Sequence, residues 1–176
     1  MTNQMISSQK KSTQLAKSQA TIEQFLSFYL EADQQALLPT QQLLEIVKVS
    51  LTQVTAIAGL APSIMGIYNW RGDVIWVVDL ASLLGYKPLY AQQYEQEKLQ
   101  DKCHIVFLRS QENIIGFAVP RVGQIVKCDI STIQTSSLTF ANPAMMQACR
   151  GYWLSGGAEE TFLVLDGDAI AEITST

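Results

Sequence analysis

Apolar positions along the chain fall into short runs divided by polar punctuation, a pattern of strands rather than long helices. Residues 1–20 are Gln, Ser, Thr and Lys with scattered single apolar groups, so they bury too little surface to offset ordering entropy and read as a disordered tail. Phe25–Leu30 is a predicted strand, Glu31–Gln35 a turn and Ala36–Leu38 the returning strand, punctuated by Pro39 and Thr40. Leu43–Val49 is a further strand, and a Pro-containing turn follows near Leu60–Ser63. Asn69-Trp70-Arg71-Gly72-Asp73 then forms a tight polar turn, in which Asn69 and Gly72 tolerate positive φ. The run Val74–Val78 is too short for a typical helix and reads as a strand buried on both faces. Asp79 is suited to cap a short helix whose Leu80, Leu83 and Leu84 share a face and which Gly85 stops. Residues 90–102 are polar and read as a linker with helical tendency. Strands return at His104–Arg109, Ile114–Val119 and Val122–Cys128, then polar chain at 129–142, and a last strand Thr161–Leu165 ends at Asp166. Glu159 and Glu160 after Gly156-Gly157 suit a solvated hairpin tip.

The two halves are alike. At an offset of 79, Leu26-Ser27-Phe28 falls on Ile105-Val106-Phe107, and Glu45–Lys48 falls on Gln124–Lys127. At an offset of 87, the strand ending at Asp79 falls on the strand ending at Asp166. Three matches in one order predict an internal duplication, and hence a mainly β fold of two small barrels packed side by side, since closure removes exposed sheet edges.

Composition narrows the function. The chain has 176 residues, enough for one domain or two small ones sharing a core. Net charge is −4, and the +3 on residues 1–20 leaves −7 on the rest, which argues against a nucleic-acid platform. Cys103, Cys128 and Cys149 are odd in number and widely spaced, as expected of free thiols in a reducing compartment. No signal-peptide core and no apolar run of ~20 residues is present, so a soluble cytoplasmic protein without membrane insertion is expected.

No constellation assembles an active site. His104 is the only histidine, and its neighbour Cys103 points to the opposite face of a strand. That pair is nevertheless the sole candidate for a small β-barrel enzyme. Asp166-Gly167-Asp168 lacks the alternating ligands and closing Glu of a calcium loop and reads as a strand-ending turn. Arg71-Gly72-Asp73 spells an adhesion tripeptide, but the turn accounts for all three residues. No catalytic residue, cofactor or metal is expected.

Gly66, Asn69, Arg71 and Gly72, followed by an apolar run through Val77, Asp79 and Leu80 and a short Leu-Leu-Gly helix, resemble the central motif of the CheW-like domain family of bacterial chemotaxis scaffolds. The resemblance extends from the Phe25–Leu30 strand through Leu43-Leu44-Glu45-Ile46 and Ile114–Val122 to Asp166. Three positions depart from the family pattern: Trp70 replaces the usual Leu, Trp76 stands where Pro is common, and Pro120 replaces an Asp. A Trp in place of a core Leu overpacks at a cost of ~1–3 kcal/mol, so Trp70 is expected to be partly exposed or at an interface.

The resemblance implies two SH3-like five-stranded β-barrel subdomains with a few short helices, in one domain over 21–176. Subdomain 1 would take about 21–88 plus the C-terminal segment, and subdomain 2 about 103–168, with a linker at 89–102. It also implies a non-enzymatic adaptor, monomeric on its own, that couples the helical hairpin tip of a methyl-accepting chemoreceptor to the regulatory domain of a CheA-type histidine kinase. Such a protein is recruited from the cytoplasm to membrane receptor clusters. Leu43, Glu45, Ile46, Gly66, Asn69, Arg71, Val119 and Val122 would form the receptor groove, and Gly72, Asp73 and Val74 the kinase contact. Each has a plainer role: core packing for Leu43, Ile46, Val119 and Val122, turn geometry for Asn69 and Gly72, and a structural tie for Arg71. The substituted motifs also leave open a scaffold of a type IV pilus, surface-motility or phototaxis system with other partners.

Overall fold

A computed structural model describes residues 21–95, 102–111, 113–135, 139–155 and 160–175. The expected tail at 1–20, the middle of the linker and the Gly156-Gly157/Glu159 hairpin tip lie outside these residues. Among the described residues there are ten strands: β1 Ile22–Tyr29, β2 Gln35–Pro39, β3 Leu43–Ser50, β4 Ile64–Trp70, β5 Asp73–Asp79, β6 Lys102–Ser110, β7 Asn113–Val119, β8 Arg121–Asp129, β9 Cys149–Leu154 and β10 Thr161–Leu165. The described residues also form short α-helices, α1 Leu80–Leu83, α2 Leu89–Glu95, α3 Pro143–Ala148 and α4 Gly167–Ser175, with 3-10 turns between some of the strands. The sequence pattern missed α3, β9 and α4, which lie in or beside segments read as polar chain.

The fold is mainly β, with two five-stranded sheets ordered β8-β1-β2-β10-β9 and β3-β6-β7-β5-β4. This is the expected pair of SH3-like units, with one correction. Among the described residues neither sheet closes into a barrel; β8 and β9 edge one sheet, and β3 and β4 the other.

The duplication explains the topology. Carrying β1–β5 onto β6–β10 in order converts the first strand order into the second. Each sheet therefore takes strands from both halves, and neither 21–88 nor 103–168 contains a complete sheet. The offsets of 79 and 87 also carry the parallel pair Val164↔Leu37 onto Val77↔Gly116. Local patterns repeat as well. Ser50 and Asp129 each cap a 3-10 turn after β3 and β8, and the Asp79 and Asp166 N–H groups donate to the Ser63 and Ala148 carbonyls at 2.7 and 2.8 Å.

One core lies between the sheets, joining Leu26, Phe28 and Leu38 to Val78, Val106, Phe117 and Val119. A second lies under the other face of the β3–β7 sheet, around Val77, Ile105 and Phe107. A third, at Phe25, Leu37, Phe162 and Val164, is its counterpart in the duplicated half.

Candidate functional site

The β4–β5 hairpin turns on two residues, Arg71 at φ 55° and Gly72 at φ 95°, the two positive values that a tight hairpin of this twist requires. The expected positive φ at Asn69 is not found. Asn69 instead acts through its side chain, whose Oδ1 accepts the Gly72 N–H at 3.1 Å. Holding a non-glycine residue in the left-handed region costs about 1–3 kcal/mol, and what it gains here is the direction of Arg71.

Arg71 turns back over the sheet. Its Nε and Nη2 donate to Glu45 Oε2 at 3.1 and 2.9 Å, and the same oxygen accepts Trp70 Nε1–H at 2.7 Å. The Trp70 ring is stacked on Phe107 at 4.9 Å, and the guanidinium carbon lies 5.0 Å from the Trp70 centroid. Trp70 is thus half-buried, with its one polar atom satisfied. Glu45 and Arg71, 26 residues apart, form a latch between β3 and the β4–β5 hairpin at the opposite edge of the sheet, and Arg71 still leaves 68% of its side chain in solvent.

The remaining groove candidates divide by face. Glu45 pairs across the ladder with Phe107, on the side of the second core, whereas Ile46 pairs with Val106, on the inter-sheet side. Leu43 and Val122 are half-buried against the inter-sheet core, and Val119 is 1% exposed within it. Ile46 keeps 36% of its surface exposed on the edge strand β3. Gly66 is buried and sits beside the bridge between Thr55 and Ile67; a Cβ there would lie 2.0 Å from the Thr55 carbonyl oxygen. Its counterpart Gly151 is held in the same way, with a virtual Cβ 2.5 Å from the Gln134 oxygen.

Gly72 and Asp73 are exposed at the hairpin tip, and Val74 is 65% exposed. The expected burial of β5 on both faces fails at its first half. Ile75 and Val77 face the core, while Val74 and Trp76 alternate outwards, Trp76 with 47% exposure. Trp76 also lines a cleft of about 410 Å³ against α4, with Ile114, Ile115 and Ala171. The period-2 alternation was hidden in the sequence because the outward positions are as apolar as the inward ones.

Cys103 and His104 diverge as their adjacency on β6 requires. Burial, then the nearby Asp79 charge, pushes the Cys103 thiol up to about 12, which removes it as a nucleophile at neutral pH. Burial, with some opposition from the Pro120 carbonyl and help from the Lys48 charge, holds the His104 imidazole below its ordinary value. His104 lines a separate recess of about 520 Å³ between the two sheets. Asp166 ends β10 and caps α4, accepting the Asp168 and Ala169 N–H groups at 3.0 and 3.2 Å. Among the described residues no group of three or more His, Cys, Asp or Glu could hold a metal, and no helix is long and apolar enough to cross a membrane.

The sequence model of the CheW-like domain matches residues 24–174. Among solved structures, the scaffolding protein TtCheW from Thermoanaerobacter tengcongensis is similar, with TM-score 0.69 and 18% identity over 89% of this chain and 97% of that one. A comparison with curated proteins returns no significant relative. The duplicated two-sheet architecture, the latched hairpin and the match over nearly the whole chain lead to one assignment: the chain belongs to the CheW-like domain family.

Proposed function

We propose that this protein is a non-enzymatic adaptor that couples the helical hairpin tip of a chemoreceptor to the regulatory domain of a CheA-type histidine kinase, in the cytoplasm at membrane receptor clusters. Residues 21–176 act as one domain in this reading. The observation that carries it is the edge strand β3, where Glu45 on one side is latched by Trp70 and Arg71 while Ile46 on the other stays accessible. A rigid polar rim beside an apolar strip suits helix-in-groove recognition. Leu43, Val119 and Val122 support the strip from beneath, and Gly66 and Asn69 hold the hairpin that carries the latch. Gly72, Asp73 and Val74, extended by Trp76, form the kinase contact: an exposed apolar end of a strand is the kind of surface that a matching domain covers.

Co-purification with a kinase regulatory domain from the same cell, followed by a receptor-dependent kinase assay, tests the proposal. Binding of both partners is expected, and failure to bind any kinase regulatory domain of that cell overturns it. Arg71→Ala separates contact from structure. An exposed ion pair contributes ~0.2–1 kcal/mol, so the unfolding midpoint should stay close to wild type while receptor-dependent activity is lost.

A further inference from the structure

The recess beside His104 lies where the two sheets meet, and its wall is cationic although the chain as a whole is acidic. Tyr29 and Arg121 reach it from β1 and β8, while Lys48, Lys102 and His104 reach it from β3 and β6. The Arg121 guanidinium carbon sits 3.6 Å from the Tyr29 ring centroid. A planar guanidinium stacked in this way keeps its N–H edge directed sideways, the geometry that receives a carboxylate. Glu31, the acid on the wall, already accepts the Lys87 N–H at 2.7 Å. Lys48 and Arg121 bring positive charge to one space from the two sheets, and an anion is favoured there over a cation.

The recess also continues the apolar strip. Lys48 follows Ile46 by two positions on β3 and so shares its face. His104 is the cross-strand partner of Lys48 and of Val119, while Arg121 lies on the other face of β8 from Val122 and reaches the recess together with its partner Tyr29. We propose that this recess receives an acidic side chain of the helical partner whose apolar face lies on Ile46 and Val122, an inference that rests on the receptor-groove reading above. Two strand residues span roughly 6.6 Å, close to the ~5.4 Å of one helical turn. For a helix lying along β3, the acid therefore belongs three or four residues from the side chain that covers Ile46. The charge pair fixes the direction of the helix and rejects partners with a cation at that position.

The test uses the full chain and a purified hairpin tip of a chemoreceptor from the same cell, with affinity measured at low and high salt. Lys48→Glu and Arg121→Glu should each weaken binding about tenfold or more at low salt, with a smaller loss at high salt. Lys48 is exposed on an edge strand, so its variant reads binding free of folding effects. Replacing the hairpin's acidic residues by Lys, one at a time, should identify one at the stated spacing that restores binding to Lys48→Glu. If Ile46→Asp abolishes binding while both charge variants retain it, the acidic-anchor inference is overturned and the groove reading stands. If Ile46→Asp has no effect, the groove reading fails and the inference fails with it.

Discussion

Gly66→Ala offers the sharpest test of what the hairpin motif does, because the structure makes Gly66 a packing residue hidden behind the bridge to Thr55. An added Cβ would sit 2.0 Å from the Thr55 oxygen, where ordinary contact needs more than 3 Å. Accommodating it means moving β4 and the Thr55 segment apart by about 1 Å, through the bonds Thr55 N–H to Ile67 O and Ile67 N–H to Thr55 O at 2.8 and 3.0 Å. Losing both costs about 1–3 kcal/mol at ~0.5–1.5 each. Holding Ala at φ 141° adds roughly 1–3 kcal/mol of backbone strain. The total, about 2–6 kcal/mol, is a large part of the ~5–15 kcal/mol that holds a domain together. At roughly 2–4 °C per kcal/mol, the unfolding midpoint should fall by about 4–24 °C. Gly151→Ala is the internal control. Its Cβ meets the Gln134 oxygen at 2.5 Å beside an equivalent pair of bonds, Gln134 N–H to Tyr152 O and Tyr152 N–H to Gln134 O at 2.9 and 3.0 Å. It lies far along the chain from every residue assigned to the groove. Urea unfolding followed by circular dichroism should show both variants destabilised to a similar extent with unchanged m-values. A Gly66→Ala protein of wild-type stability that had lost partner binding would refute this reasoning and make Gly66 a contact residue.

Trp70→Leu restores the residue usual in the family but removes the stack on Phe107, which contributes about 0.5–1.5 kcal/mol, and one donor to Glu45. Its unfolding midpoint should drop by a few degrees with a loss of near-ultraviolet aromatic signal. The duplicated caps Asp79 and Asp166 should show opposite pH linkage. Burial outweighs the Ser82 and Leu89 N–H groups and raises the Asp79 pKa, so its contribution is full below the ordinary carboxylate value and is lost as pH rises through the raised one. At Asp166 burial acts upwards, but the Arg150 hydrogen bonds and the cap N–H groups win and lower it, so its contribution is present above the ordinary value and is lost as pH falls through the lowered one. Stability–pH curves of Asp79→Asn and Asp166→Asn should therefore deviate from wild type with opposite slopes in the acid range, and slopes of the same sign would contradict the assignment. Cys103, fully buried with its thiol pushed up to about 12, should resist alkylation at pH 8 until the protein is unfolded in urea, as mass spectrometry can follow.

Much of the candidate site was legible because it depends on local chemistry. The hairpin announced itself through Asn69, Gly72 and the apolar run after them, and Asp79 caps α1 through the Ser82 N–H at 3.0 Å as its position implied. Trp70 at a half-exposed position follows from its volume. Which residue took the strained φ did not follow, because Arg71 and Asn69 compete for it and the pairing Trp70↔Asp73 decides. The exposure of Trp76 was equally hidden, since no polar residue marks the outward face of β5.

By itself the sequence determined the strand-rich class, the duplication, the hairpin and its cap, and the family, all of which are written in short-range periodicity and turn residues. Tertiary structure alone decided that the sheets exchange strands between halves, that Glu45 and Ile46 face opposite cores, and that Lys48, His104 and Arg121 share one recess. The physical reason is that a strand's alternation specifies two faces but not which distant strand lies beside it or what covers each face. Those choices are settled only when pairs such as β1 with β8, about a hundred residues apart, close over the common core.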